Sequence, residues 1–191
     1  MRGVAAQLNL RYIDSVKDRS YRIEVPEGVP ALPLFADADL EHSVSDLSYG
    51  NFAGYAIQVF THDAVVYRDD PENTKRTCVL FEVPFRLPAL QISPHNRLSA
   101  ASQGRVDPTS FEGRYRVITR DTVSADAILD TGMKAWLSQL DPMPRIELNQ
   151  RWVLFHTGLL HPDQIPEFVT SVFMFVIRIP DDALVRFGGT L

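Results

Sequence analysis

The chain has 191 residues, of which 45% are hydrophobic and 23% are charged. That length fits one domain of ordinary size, and the apolar share is too high for a disordered chain. The formal net charge is −5, and segments such as 68–76 and 112–121 mix basic with acidic residues and form no basic stripe. Because nucleic-acid binding depends on clustered positive charge, we expect no nucleic acid among the partners.

The sequence lacks the usual targeting and membrane signals. Residues 1–10 contain no apolar stretch of the kind that a secretory signal has, and the apolar run at 173–177 is far shorter than the ~20 residues that cross a bilayer. Cys78 is the single cysteine, which excludes an intramolecular disulfide and an all-cysteine metal site. We expect a soluble chain in which Cys78 acts as a small buried hydrophobic residue.

Hydrophobic periodicity and turn residues predict β-hairpins in the first half of the chain. Gly54, in the predicted turn Ala53–Gly54, supplies the positive φ that a tight reversal requires. The entirely polar segment 68–76 predicts the exposed loop of a second hairpin. In chain order, the predicted elements are a helix at 2–9, a strand at 21–25 ending at Pro26, an extended connector at 26–33, paired strands at 47–52 and 55–60, and a return strand at 78–83.

The stretch 94–110 is rich in Pro, Ser, Asn and Gly and predicts a mobile linker, and Pro84 and Pro88 predict a bend before it. The period of the segment 165–179 favours a helix with Pro166 near its first turn. Its β-branched and aromatic residues favour a strand at 172–179 instead, and we expect the helix. The other predicted elements are a strand at 111–118, a helix from Thr122 or Ser124 to Leu140 that includes Trp136, and a hairpin of 145–148 and 152–156 with its turn at Asn149–Gln150.

These elements predict an α+β fold, in which an antiparallel β-sheet built from hairpins carries about two main helices packed on one face. We expect a single domain over residues 1–191. Its β-rich subregion would span 1–93, its strand–helix–hairpin–helix subregion would span 111–191, and the linker at 94–110 would join them.

His156, His161 and Asp163 form a cluster in the sequence that resembles a metal or hydrolytic site. Metal ligands converge on one point at about 2.0–2.2 Å, which usually requires residues two apart on a strand or four apart on a helix. The step from His156 to His161 has neither spacing. We therefore expect no metal and no other cofactor, and keep the three residues as an alternative site.

Two pairs of aspartates, Asp37 with Asp39 and Asp181 with Asp182, are candidates for acid–base chemistry. Such pairs are also typical of turns and helix N-caps, and the capping interpretation is the one that we adopt. The sequence contains no nucleophile-elbow, phosphate-loop, dinucleotide-binding, zinc-protease or EF-hand motif. Nothing in it argues positively for an enzyme, although catalytic groups recognised by geometry would leave no such motif.

Several segments together follow an order of helix, hairpin, strand pair and strand–helix unit. They are residues 2–12, 49–60, 77–84 with 87–90, and 111–117 with the helix around Trp136. These segments resemble an uncharacterised bacterial family, mainly actinobacterial, whose members usually carry this α+β domain in the cytoplasm after membrane-spanning helices. The resemblance implies the fold and an association with the membrane, and it supplies no catalytic residues.

The sequence and the resemblance together favour a non-catalytic binding or scaffolding domain that acts through a protein partner at the cytoplasmic face of a bacterial membrane. One alternative is a hydrolytic or metal-dependent enzyme that uses His156, His161 and Asp163 or the aspartate pairs. Another is a binder of a small apolar ligand. Its pocket would be lined by Trp136, Phe168, Val172 and Phe173.

Overall fold

The computed structural model describes residues 1–13, 32–35, 41–65, 75–95, 107 and 109–187. The predicted strand at 21–25, most of the connector at 26–33 and most of the linker at 94–110 lie outside these ranges. The described strands are β1 (Arg11–Ile13), β2 (Glu41–Phe52), β3 (Tyr55–Val65), β4 (Arg76–Pro94), β5 (Tyr115–Thr119) and β6 (Arg145–Gly158). The described helices are α1 (Arg2–Gln7), α2 (Phe111–Arg114), α3 (Thr122–Ile128), α4 (Thr131–Leu137), α5 (Ile165–Ile177) and α6 (Asp181–Arg186), with 3₁₀ turns at Pro33–Phe35 and Pro162–Gln164.

The described strands form one antiparallel sheet, which confirms the α+β prediction. β4 is the central strand of this sheet. β3 pairs with residues 76–82 of β4, and β5 pairs with residues 90–94. β6 runs along the opposite side of β4, from Arg76 to Ile92. The long central strand therefore joins the strand that precedes it in the chain to the two strands that follow it.

The two faces of the sheet carry separate hydrophobic clusters, because successive strand side chains point to opposite faces. On β4, Val79 and Phe81 point toward the helices, while Cys78 and Leu80 point to the other face. All six described helices contribute to the first cluster. The second cluster is covered by the segment around the turn Pro33–Phe35. We call this second side of the sheet the concave face.

The first predicted hairpin is confirmed, with β2 and β3 pairing around Ala53 and Gly54. These two residues have φ angles of 51° and 92°. Positive φ at both central positions is the geometry whose twist matches a two-residue hairpin. β3 then pairs with β4, as the second predicted hairpin requires.

The predicted hairpin at 145–148 and 152–156 is wrong, because both halves belong to the single strand β6. Gln150 adopts a φ of 53°, and the register with β4 shifts in this region. Leu148 and Val153 both point into the helix-side cluster although they are five positions apart, an odd number. Regular alternation would put them on opposite faces, so the alternation of β6 shifts by one residue at the bulge around Gln150, where the extra residues lie on the facing stretch of β4.

The predicted bend at Pro84 and Pro88 lies inside β4, which continues without interruption to Pro94. Its pairing with β6 changes register between Glu82 and Leu87 and again before Leu90. Proline is tolerated at such irregular positions, where the ladder does not need its missing N–H group. The prolines thus mark a change of register within one strand and do not end it.

The predicted helix from residue 122 to 140 is two helices, α3 and α4. The predicted caps Thr122 and Ser124 are replaced by Asp121, which accepts the Ser124 N–H at 3.0 Å. Asp130 caps the second helix by accepting the Met133 N–H at 2.7 Å. An aspartate N-cap starts a new helix. The apolar spacing therefore runs through both helices, although the helical backbone is interrupted between them.

The predicted strand at 111–118 begins later than expected, at Tyr115. Residues Phe111–Arg114 form the short helix α2, and the Ser110 side chain caps it by accepting the Gly113 N–H at 3.1 Å. The alternation within 111–118 predicted a strand over the whole segment. The serine cap favours a helical turn before the strand. The Phe111 ring also packs on the Tyr115 ring, with centroids 5.5 Å apart.

The last apolar segment is the helix α5, which excludes the strand alternative at 172–179. Pro166 stands in its first turn, where the missing N–H group costs nothing. Phe175 and Val172 are fully buried on its inner side. α5 has 13 residues, and within the described ranges no helix has both the length and the apolar character needed to cross a membrane.

Candidate functional site

Glu147 and His156 form a buried polar pair on β6. Their side chains are 1% and 0% exposed, and Nε2 of His156 lies 3.1 Å from Oε1 of Glu147. Nine residues of straight strand would span about 30 Å, so β6 bends sharply at the bulge around Gln150. The bend curls the sheet around its concave face and brings both side chains together there.

The turn Pro33–Phe35 covers this pair. The Leu34 N–H donates a hydrogen bond of 2.9 Å to Oε2 of Glu147, so both carboxylate oxygens are engaged. The Phe35 ring meets the His62 ring edge-on with centroids 5.3 Å apart, and Leu32 is fully buried. The Glu147 carboxylate therefore fixes the covering segment to the concave face.

Burial lowers the pKa of His156 below its ordinary value, because water no longer stabilises the imidazolium. Glu147 acts in the opposite direction, while the charges of Arg76 and Arg145 add to the lowering. The ring is thus neutral near pH 7, and its Nε2–H donates to the Glu147 carboxylate. Nδ1 is then a bare nitrogen, and within the described ranges it has no hydrogen-bond partner.

Cys78 stands opposite His156 in the register of β4 and β6. With Glu147, these are the residue types of a thiol nucleophile, its base and an orienting carboxylate. However, the Cys78 thiol is 0% exposed, and burial raises its pKa far above the ordinary value. Because the thiolate is the reactive species, this cluster is structural, and Cys78 is the buried small residue that the sequence predicted.

The structure places His156 and His161 in different environments. His156 is sealed inside the concave face, whereas His161 and Asp163 lie at the surface with side chains 72% and 90% exposed. Nδ1 of His161 is 3.2 Å from Asp163, and its backbone N–H donates to Gln164 at the start of α5. Within the described ranges no group of three His, Cys, Asp or Glu residues is arranged to hold a metal ion.

The two aspartate pairs are placed differently. Asp37 and Asp39 lie outside the described residues. Asp181 and Asp182 form the acidic first turn of α6, the position in which carboxylates stabilise the positive end of a helix dipole. The pair therefore stands at a helix start, but the N-cap position belongs to Pro180, and the capping interpretation is wrong for this pair.

The residues proposed for an apolar ligand pocket are spread over separate contacts. Trp136 packs on Phe175 with ring centroids 6.5 Å apart, and the Arg178 guanidinium lies over its ring. Phe173 packs against Phe52 at 5.8 Å, and Val172 is in the core. Of the proposed set, Phe168 lines a surface groove.

This groove, which we call the α5 groove, has a volume of about 330 Å³ and lies between the turn at 139–144 and the first turns of α5. The residues that line it are Gln139, Leu140, Asp141, Pro142, Pro144, Leu160, Gln164, Glu167, Phe168 and Ser171. Sequence reasoning missed it and interpreted Asp141–Pro144 only as the end of a helix. The sequence feature that could have indicated the groove is the group of Asp141, Pro142 and Pro144, which places a carboxylate and two prolines just before an apolar strand.

Arg114 holds one wall of the α5 groove in place. Its guanidinium donates hydrogen bonds to the backbone oxygens of Ser138 and Leu140, and Nε contacts the Met143 sulfur at 3.1 Å. On the other side, the Leu160 N–H donates to Oγ1 of Thr77 at 2.9 Å. These contacts come from distant parts of the chain, so the groove is shaped by tertiary structure.

The α5 groove is acidic. Asp141 enters from the turn and Glu167 from the helix, and both residues are exposed. None of the described residues that line the groove is basic. The amide oxygen of Gln164 is occupied by the His161 N–H. The two carboxylates are therefore the charged groups that the groove offers to a ligand.

The described residues define an antiparallel α+β domain with a sealed polar pair on one face of its sheet and an open acidic groove beside a helix. Its fold is similar to the crystal structure of the mycobacterial trehalose monomycolate transport factor A, TtfA, with a TM-score of 0.60. The two chains are 13% identical, and the match covers 94% of this chain and 93% of that one. No protein-family model matches the chain, and no curated protein matches its sequence.

Proposed function

We propose that this chain is a non-catalytic binding or scaffolding domain that works with a protein partner at the cytoplasmic face of a bacterial membrane, in a transport-associated role. The observation that carries the proposal is the fold likeness to a transport factor from a mycobacterium, which extends over nearly the whole of both chains. The resemblance of the packing segments to an actinobacterial, membrane-associated family supports the same setting.

The chemistry of the two sites also supports binding over catalysis. The buried pair Glu147–His156 and the thiol of Cys78 are sealed from substrates. The α5 groove presents carboxylates without a neighbouring nucleophile or base among its described lining residues. An enzyme built on His156, His161 and Asp163 has less support, because the structure does not bring these residues together.

A flotation experiment tests the membrane partner. The purified chain is mixed with inverted membrane vesicles from an actinobacterium, with the same vesicles after trypsin treatment, and with liposomes made from the extracted lipids. We expect the chain to float with the untreated vesicles and to remain at the bottom of the gradient with the other two. Protein-dependent flotation is the signature of a membrane-protein partner.

Two results would overturn the proposal. Equal flotation with protein-free liposomes would show that the chain binds lipid directly. No flotation with any of the three preparations would show that no partner is present at this membrane face.

A further inference from the structure

We propose that the α5 groove binds a positively charged, partly apolar peptide segment of a partner protein. This inference rests on the proposed function. It names the docking site for the partner that the proposed function requires, and the chemistry of that partner. It adds a site that neither the fold likeness nor the sequence motifs assign.

The size and lining of the groove fit a short segment of peptide. Its volume of about 330 Å³ is at the small end of the ~300–1,000 Å³ typical of ligand sites. Such a space accommodates one or two side chains. Leu140, Leu160 and Phe168 give it apolar surface on which the stem of a long side chain or an aliphatic neighbour can pack.

The charge of the groove selects a cation. Asp141 and Glu167 line the groove from two different elements, so a guanidinium or ammonium group bound there meets negative charge on both walls. No basic residue among the described lining groups competes for these carboxylates. Charge complementarity of this kind selects partners and speeds their encounter. An acidic peptide or an anionic lipid headgroup would be repelled.

The walls are fixed before any ligand arrives. Arg114 anchors the turn that carries Asp141 through the backbone oxygens of Ser138 and Leu140. Glu167 lies on the regular helix α5. A site whose groups are already ordered loses little conformational entropy on binding, which makes weak charged contacts effective.

Membrane proteins supply partners with this chemistry. Their cytoplasmic loops carry an excess of lysine and arginine close to the ends of apolar membrane helices. A domain at the cytoplasmic face therefore meets basic segments with apolar neighbours, and an acidic groove with apolar surface matches them.

A peptide titration tests the site. The probe is an amidated eight-residue peptide of alternating arginine and leucine, and its counterpart has glutamate in place of arginine. Binding is followed by isothermal calorimetry at low salt and by amide shifts of the labelled protein. We expect the arginine peptide alone to bind, with shifts centred on residues 139–144 and 164–171. The double variant Asp141→Asn/Glu167→Gln should bind about tenfold more weakly, roughly 1.4 kcal/mol.

A matched control separates a specific site from the general effect of net charge. Asp126→Asn/Asp182→Asn removes two exposed carboxylates from a different groove, between α3 and α6, and changes the net charge by the same amount. We expect less than a twofold change in affinity for this variant. Equal weakening in both double variants, or no binding of the arginine peptide to the native chain, would overturn the groove as the site. Thermal melts of both variants confirm that the fold is retained.

Flotation distinguishes this inference from the function on which it rests. If the Asp141→Asn/Glu167→Gln chain floats with untreated vesicles as well as the native chain does, the groove proposal fails and the membrane-partner proposal stands. If the native chain binds the arginine peptide through the groove but does not float, the membrane-partner proposal fails and the groove stands.

Discussion

Burial of the His156 imidazole connects the stability of the fold to pH. The ring is fully buried, and the Glu147 carboxylate beside it also holds Leu34 in place. The charged groups that act on His156 are Glu147 and Arg145 from its own strand and Arg76 from β4. The neutral His156 ring therefore lies among charged side chains, at the point where the segment around Leu34 is attached to the concave face.

Stability should fall as the pH decreases below the ordinary histidine value of 6.5. The folded state has the lower His156 pKa, so below that value the unfolded chain takes up a proton that the folded protein does not bind. The contribution of His156 to stability is thus complete above 6.5 and decreases below it, by up to about 1.4 kcal/mol per pH unit. Urea unfolding between about pH 7.5 and pH 5.5 measures this slope.

Two variants test the assignment of this slope to His156. His156→Gln should flatten the pH dependence in this window and reduce stability near neutral pH, because a buried hydrogen-bonded group is altered. His161→Gln, at a side chain 72% exposed, should leave the slope as it is. A slope that persists in His156→Gln would assign the pH dependence to another group.

At the scale of the elements, Asp130 separates two helices that the apolar spacing joins into one. Its carboxylate accepts the Met133 N–H, and the residues on either side continue the same buried stripe. A capping aspartate satisfies one of the N–H groups that a helix N-terminus leaves without a partner. The break between α3 and α4 is therefore stabilised locally.

Asp130→Ala should destabilise the protein by about 1 kcal/mol, the usual cost of losing an N-cap. Asp126→Ala is the matched control, since Asp126 is exposed within α3 and caps no helix. It should change stability by less than about 0.5 kcal/mol. Denaturant melts of both variants decide the point, and equal melts would mean that Asp130 has no capping role.

Elements that depend on neighbouring residues alone were predictable from the sequence. The turn Ala53–Gly54 has its own turn chemistry, and α5 has an apolar period that continues long enough to specify a helix. The residues Asn149–Gln150 do not specify one backbone conformation by themselves. The same two residues can form a turn or a bulge, and the choice is made by the partner strand β4.

The candidate site was predictable only in part, for the same reason. Burial of Cys78 follows from its apolar neighbours. The pairing of Glu147 with His156 does not, because it requires the bulge that bends β6. The α5 groove was not predictable either, since Arg114 shapes its wall from a distant position. Its carboxylates have no spacing in the sequence that indicates a common site.

At the scale of the whole molecule, β4 pairs with strands from both halves of the chain. It pairs with β3 on one side and with β6 along nearly its full length on the other. Phe81 and Phe155, on neighbouring strands from the two halves, are both fully buried in the helix-side core. We propose that the chain is one folding unit and that residues 94–110 join two subregions which are not stable alone.

Fragments test this dependence. The fragment 1–93 keeps β1 to β4 but loses β6 and α5, so apolar side chains such as Val79 and Phe81 would face water. The fragment 111–191 keeps β6 and α5 but loses the strand against which both pack. Exposure of that much apolar surface removes the hydrophobic stabilisation that offsets the loss of chain entropy on folding. We expect each fragment to be unfolded by far-ultraviolet circular dichroism, and the whole chain to melt in one transition.

Mixing the fragments completes the experiment. If the β4–β6 pairing holds the fold together, equimolar fragments 1–93 and 111–191 should recover strand and helix signals that neither shows alone, because the buried surface is restored on association. Native-like dispersion of amide signals in either isolated fragment would show that this half carries its own core. Two separate transitions in the melt of the whole chain would lead to the same conclusion. Either result would show that the chain contains two folding units and would overturn the proposal of one.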